Sequence, residues 1–156
     1  MKPFVKWAGG KKQILDPILD KIKKSVTAEN KDYTFIEPFV GGGVVFLALN
    51  HPNTIINDLN KELITAYRVV RDNPQALMNE LDELHDIFRE RGQDFYYEMR
   101  DEDKDPNYRN ADDLFVASRM IFLNKTCFNG LYRVNSEGYF NTPIGRNRMI
   151  SMYERE

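Results

Sequence analysis

The spacing of apolar and polar positions changes character along the chain, and each change marks a different kind of element. Ile14, Leu15, Ile18, Leu19 and Ile22 recur at helical spacing, which predicts an opening amphipathic helix. Asp16-Pro17 inside it can serve as an N-cap and first-turn pair, because proline at the first helical position gives up no hydrogen bond. Thr34-Phe35-Ile36-Glu37-Pro38-Phe39-Val40 is a β-rich run that stops at Gly41-Gly42-Gly43, and the apolar segment Val44–Leu49 follows before Asn50-His51-Pro52. That order reads as strand, tight glycine turn and helix. Thr54-Ile55-Ile56-Asn57-Asp58 then reads as a second short strand, so residues 34–58 form one βαβ unit.

Beyond Asp58 the period is helical. Leu63, Ile64, Tyr67 and Val70 mark one helix, and Asn73-Pro74 opens another carrying Leu77, Leu81, Leu84 and Phe88 before Gly92,. Two helices in succession break the βαβ alternation. A short aromatic segment, Phe95-Tyr96-Tyr97, leads into a polar stretch over residues 101–110, with Pro106, that reads as a surface loop,. Asn110 can cap a further helix running to about Lys125, with Leu114, Phe115, Ser118, Ile121 and Phe122 on one side,. Residues 131–140 alternate weakly around Asn135-Ser136-Glu137-Gly138, the composition of a hairpin turn,. The chain is expected to be an α/β protein with a helical section and a terminal hairpin.

Composition removes whole classes. Ten Phe, eight Tyr and one Trp among 156 residues are too many for a solvated tail, and nine Gly with seven Pro exclude a collagen-like chain,. The longest apolar runs, such as Val44–Leu49, fall far short of the roughly 20 residues of a membrane-spanning helix, and the start of the chain lacks a signal-like apolar stretch,. A soluble, cytoplasmic protein with no membrane partner is expected. The single cysteine, Cys127, can form no internal disulfide, which fits a reducing compartment,. His51 and His85 lie apart without metal-ligand spacing, so no metal is expected,. The net charge of −2 conceals blocks of opposite sign: +5 over residues 1–31, −3 over 32–60, −7 over 61–115 and +3 over 116–156. Local patches decide polyanion binding, since screening acts within roughly 8–10 Å.

Two segments carry candidate chemistry. A glycine turn between strand and helix lets backbone N–H groups approach a polar ligand, and an acid ending the next strand, Asp58, can accept both hydroxyls of a ribose,. Gly41-Gly42-Gly43 is not the spaced glycine fingerprint of dinucleotide folds, and by itself a glycine turn is as readily only a turn. Late in the chain, Asn124, Lys125, Phe128, Asn129 and Arg133 put amides, an aromatic and two bases around the hairpin. Arg reads guanine and Asn reads adenine by paired hydrogen bonds, and an aromatic can fill the space left by a flipped base. Phe128 is equally suited to a core, and Arg133 to an ordinary surface. Over residues 116–148, Arg119, Lys125, Arg133, Arg146 and Arg148 oppose only Glu137.

In order along the chain stand Lys6-Trp7-Ala8-Gly9-Gly10-Lys11, Glu37-Pro38-Phe39-Val40-Gly41-Gly42-Gly43, Asn57-Asp58-Leu59-Asn60 and Phe128-Asn129-Gly130-Leu131-Tyr132-Arg133. This ordered set resembles the DNA adenine methylase family, the D12 class of N6-adenine-specific DNA methyltransferases, over residues 4–146. The resemblance implies S-adenosyl-L-methionine as methyl donor, a Rossmann-like catalytic domain, and a helical target-recognition insertion with a β-hairpin that binds double-stranded DNA, GATC being the expected site. It divides the chain into the front of the cofactor domain (1–59), the recognition domain (60–146, hairpin near 131–141) and the start of a catalytic remainder (147–156). It places Trp7 and Lys11 against the methionine part of the cofactor and Asp58 on its ribose, with Glu37, Gly41 and Gly43 shaping the pocket. Trp7 as a core residue and Lys11 as a solvated helix start remain the alternatives. The family's catalytic tetrad, Asp-Pro-Pro-Tyr, is not in this sequence, since no two of its prolines are adjacent. The expectation is therefore an enzyme by family whose 156 residues are inactive alone: a front half truncated or completed by a second chain, or else an inactive DNA-binding remnant. A nucleotide-binding oxidoreductase half-domain is the rival reading, and the missing glycine fingerprint argues against it.

Overall fold

The computed structural model describes residues 2–27, 30–146 and 151–153, and the chain divides into two compact units, Met1–Asn60 and Lys61–Glu156. Residues 147–150 and 154–156 of the expected catalytic remainder, Arg148 among them, lie outside the described residues.

In the first unit a 3-10 turn, Lys11–Ile14, feeds α1 (Leu15–Ser25), followed by β1 (Phe35–Glu37), α2 (Val44–Leu49) and β2 (Thr54–Ile56). The strands pair in parallel with Phe35 opposite Thr54, Ile36 opposite Ile55 and Glu37 opposite Ile56, as a strand–helix–strand crossover requires. β1 is shorter than the apolar run suggests. Pro38 has no N–H to extend the ladder, and the chain turns there toward the glycines. Asp16-Pro17 does not cap α1 either: Ile14 holds the cap position and Pro17 falls inside the first turn, where the missing N–H has no intrahelical partner to lose. Val5, Val40, Val45 and Leu47 are buried. Ile36 and Ile55, opposite one another, are 59% and 55% exposed, so among the described residues this face of the two-stranded sheet is only partly covered.

The second unit is helical: α3 (Lys61–Asp72), α4 (Pro74–Arg91), α5 (Gln93–Asp101) and α6 (Asp113–Thr126). Leu77, Leu81, Leu84 and Phe88 form the buried stripe of α4, and the aromatic segment lies inside α5 with Phe95 and Tyr96 buried. The expected surface loop after α5 is instead two 3-10 turns, Glu102–Lys104 and Pro106–Asn110. α6 starts later than expected, because the Asp112 carboxylate accepts the Leu114 N–H at 3.2 Å, the bond that defines an N-cap. Nor is α6 one-sided. Ala117 through Asn124 are all buried, as happens to a helix at the centre of a bundle. After a 3-10 turn, Phe128–Gly130, the chain forms the hairpin: Asn135 N–H donates to the Tyr139 carbonyl at 2.9 Å, Asn141 N–H to that of Arg133 at 3.0 Å, and Val134 bridges Phe140. No described helix is long and apolar enough to cross a membrane, and the described residues contain no His/Cys/Asp/Glu group arranged to hold a metal.

Candidate functional site

The first unit holds a cleft of about 260 Å³ lined by residues 7–11, 39–44 and Asp58. Its floor is the glycine turn, whose conformation explains the residue type. Gly41 has φ +50° and Gly43 φ +75°, the left-handed region that side chains disfavour. Gly41 is also a point of close approach, since a Cβ there would stand 2.9 Å from Cδ1 of Trp7. Trp7 is half-buried and walls the cleft, so it is neither a core residue nor a free surface ring. Asp58, just past β2, reaches back: one carboxylate oxygen accepts the Gly41 N–H at 3.0 Å, and the other accepts the Asn60 N–H at 3.1 Å. It braces the turn while lining the cleft.

Lys11 and Glu37 work on each other. The Lys11 ammonium donates to Glu37 Oε1 at 2.9 Å and to the Phe39 carbonyl at 2.8 Å, which uses two of its three N–H donors. Glu37, 6% exposed, uses its other oxygen to accept the Phe46 N–H at 3.2 Å, placing negative charge on the first turn of α2, where the helix dipole favours it. The pair thus fastens β1, the turn and α2 together. Lys11 is therefore not merely a solvated helix start: it lines the cleft while tied to Glu37, which supports the cleft from behind.

In the second unit the late residues separate by exposure. Phe128 is 45% exposed, which removes it from the core. Asn129 beside it is exposed with φ +56°, Lys125 is half-buried and Arg133 exposed. Arg133 lies across the hairpin, donating Nε to Asn141 Oδ1 at 2.7 Å and Nη2 to the Asn141 carbonyl at 3.1 Å. Leu131 and Val134 add exposed apolar surface, at 36% and 42%.

Two sequence assignments are corrected. Asn124 is 2% exposed and donates its amide to the Gly130 carbonyl at 3.1 Å; it holds the turn before the hairpin and does not face a ligand. Arg119, counted among the bases of the reading surface, is 0% exposed. Its guanidinium meets Glu62 at 3.2 Å and Asp103 at 3.1 Å, donates to the Met99 and Arg100 carbonyls, both at 2.7 Å, and to the Tyr108 hydroxyl at 3.0 Å. Burial raises the Tyr108 phenol far above its ordinary range, with Glu62 pushing the same way, so it stays protonated and donates to Glu62 at 2.6 Å. The charge pattern missed Glu62, Asp103 and Tyr108. The available signal was Arg119 itself, one base inside the apolar run Val-Ala-Ser-Arg-Met-Ile-Phe-Leu, because a base at such a position needs acids brought to it.

The D12 class N6 adenine-specific DNA methyltransferase family model matches residues 7–151. The type II methyltransferase M.MjaIII of Methanocaldococcus jannaschii is 42% identical, the match covering 100% of this chain and 56% of that protein. The type II methyltransferase M1.LlaDCHI of Lactococcus lactis is 38% identical, over 100% of this chain and 52% of its own. The DNA adenine methylase of Escherichia coli K12 is 34% identical, over 99% and 51%. The chain thus spans about half the length of the curated relatives it matches. With a family model covering nearly all of it, the chain belongs to the D12 class of N6 adenine-specific DNA methyltransferases.

Proposed function

We propose that the first unit is the front of a Rossmann-like domain that binds S-adenosyl-L-methionine, and that the hairpin of the second unit reads double-stranded DNA, with GATC as the site. Methyl transfer to N6 of a flipped adenine then requires the part of the fold carrying Asp-Pro-Pro-Tyr, from the same polypeptide or a second chain, in the cytoplasm. The observation that carries this reading is the meeting of Asp58 with the glycine turn under Trp7. Each Asp58 oxygen accepts one N–H, and a carboxylate has about four lone-pair sites, so capacity remains for two ribose hydroxyls. Trp7 offers an aromatic face, to which a sulfonium cation is attracted. Gly41 and Gly42 leave the turn bare where a Cβ would meet Trp7 at 2.9 and 3.4 Å. The cofactor supplies an electrophilic methyl group when bound; this chain's residues orient its nucleoside.

Two features speak for a missing complement. The cleft, about 260 Å³, falls below the roughly 300–1,000 Å³ of a complete small-molecule site. The exposed Ile36–Ile55 face is apolar surface of the kind that a helix covers in a complete Rossmann-like sheet,. Titration calorimetry with S-adenosyl-L-methionine tests the reading: weak binding by the chain, weakened further in a folded Asp58→Asn variant, supports it, and equal binding by the two rejects the ribose role. The hairpin lies within the described chain, and that favours one second reading, a DNA-binding remnant without catalysis. Failure of a complementary Asp-Pro-Pro-Tyr fragment to restore methyl transfer would support it.

A further inference from the structure

The two arms of the hairpin are fastened to the helices by different acids, and one buried guanidinium holds both. On the first arm, the Tyr132 hydroxyl donates to Glu62 Oε2 at 3.2 Å. On the second, the Phe140 N–H donates to Asp103 Oδ2 at 2.7 Å. Arg119 from α6 bonds Glu62 on α3 and Asp103 after α5, and the Tyr132 and Phe140 rings meet edge to face at 5.4 Å.

Each pinned residue is followed by one member of a hydrogen-bonded pair, exposed Arg133 and half-buried Asn141. Arg133 follows Tyr132 and Asn141 follows Phe140, and the Arg133 guanidinium is held by Asn141. In an extended arm successive side chains point to opposite faces, so an inward anchor at 132 and 140 sets the outward placement of 133 and 141. Buried ion pairs add little net stability over apolar packing, and their best-attested use is to specify one arrangement.

We propose that the Arg119–Glu62–Asp103 hub fixes the register and reach of the hairpin, making Tyr132 a positioning residue for sequence discrimination by Arg133. The inference rests on the reading of the hairpin as the DNA-reading element, and its test separates the two. Arg119→Ala strands two half-buried acids and endangers the fold, so the test uses Tyr132→Phe, which keeps the ring against Phe140 and removes only the hydroxyl. Affinities for a GATC duplex and a permuted duplex of equal composition are measured at matched salt, with Tyr153→Phe as control, since its hydroxyl bonds Asp82 away from the hairpin. Tyr132→Phe should shrink the GATC-to-permuted ratio about fivefold, the scale of one hydrogen bond. Its affinity for the permuted duplex should be unchanged, and Tyr153→Phe should behave as wild type. A wild type that does not distinguish the duplexes overturns the reading of the hairpin and this inference with it. A wild type that does, alongside a Tyr132→Phe variant that does equally well, overturns this inference alone, whatever the variant's melting temperature.

Discussion

Replacing Gly41 by alanine puts two separable penalties on the cleft floor. The first is conformational: at φ +50° an L-residue pays about 1–2 kcal/mol for the left-handed region. The second is steric. The new Cβ would sit 2.9 Å from Trp7 Cδ1, about half an ångström or more inside the ordinary carbon contact of roughly 3.5–4.0 Å, and forced overpacking costs about 1–3 kcal/mol. Gly41→Ala should therefore lose about 2–5 kcal/mol. Gly9 isolates the first penalty, because it has φ +72° and nothing within 4 Å of its would-be Cβ; Gly9→Ala should lose only about 1–2 kcal/mol. Removing the indole isolates the second: in a Trp7→Ala background, Gly41→Ala should cost about as much as Gly9→Ala, a coupling of about 1–3 kcal/mol. Urea unfolding followed by circular dichroism suits this cycle, since Trp7 is the only tryptophan and fluorescence would vanish with it. Equal losses for Gly41→Ala and Gly9→Ala in the parent chain, or a Gly41→Ala cost that Trp7→Ala leaves unchanged, would refute the placement of Trp7 over the turn.

Asp58→Ala should weaken binding of S-adenosyl-L-methionine by about 1–3 kcal/mol, measured by calorimetry on a variant shown to be folded, because the Gly41 and Asn60 N–H groups lose their acceptor as well. Arg133→Ala should narrow the affinity gap between GATC and permuted duplexes, whereas Arg146→Ala, at an exposed position, should weaken both equally; a uniform loss for Arg133→Ala would demote it to a backbone contact. Binding should fall by about 0.9 log unit per log unit of salt for each phosphate neutralised, and with Arg119 buried the slope should reflect Lys125, Arg133 and Arg146 but not Arg119.

What was legible in the sequence followed the length scale of the signal. The buried stripe of α4 is set by local periodicity and α2 by the order of strand, glycine turn and apolar run, and the structure has both at the residues the pattern marks. The glycine turn was legible because only glycine suits its backbone. The pairing of Lys11 with Glu37 joins residues 26 apart, and that of Arg119 with Glu62 residues 57 apart, which no window of sequence displays. For the same reason a charge count placed Arg119 on a reading surface. Asn124 and Lys125 are neighbours with the same polar character on paper. One is buried and the other half-buried, a difference made by one helical step on a helix whose residues from Ala117 to Asn124 are all enclosed.

The most direct test of the account is a chimera that joins residues 1–151 to the segment following them in M.MjaIII, the 42% identical relative, assayed for labelled methyl incorporation from S-adenosyl-L-methionine into a GATC duplex. The account predicts no incorporation by the 156 residues alone, N6-methyladenine with the chimera, and its loss in the chimera bearing Asp58→Ala. Methylation by the 156 residues alone, or a chimera as active with Asp58→Ala as without it, would contradict it.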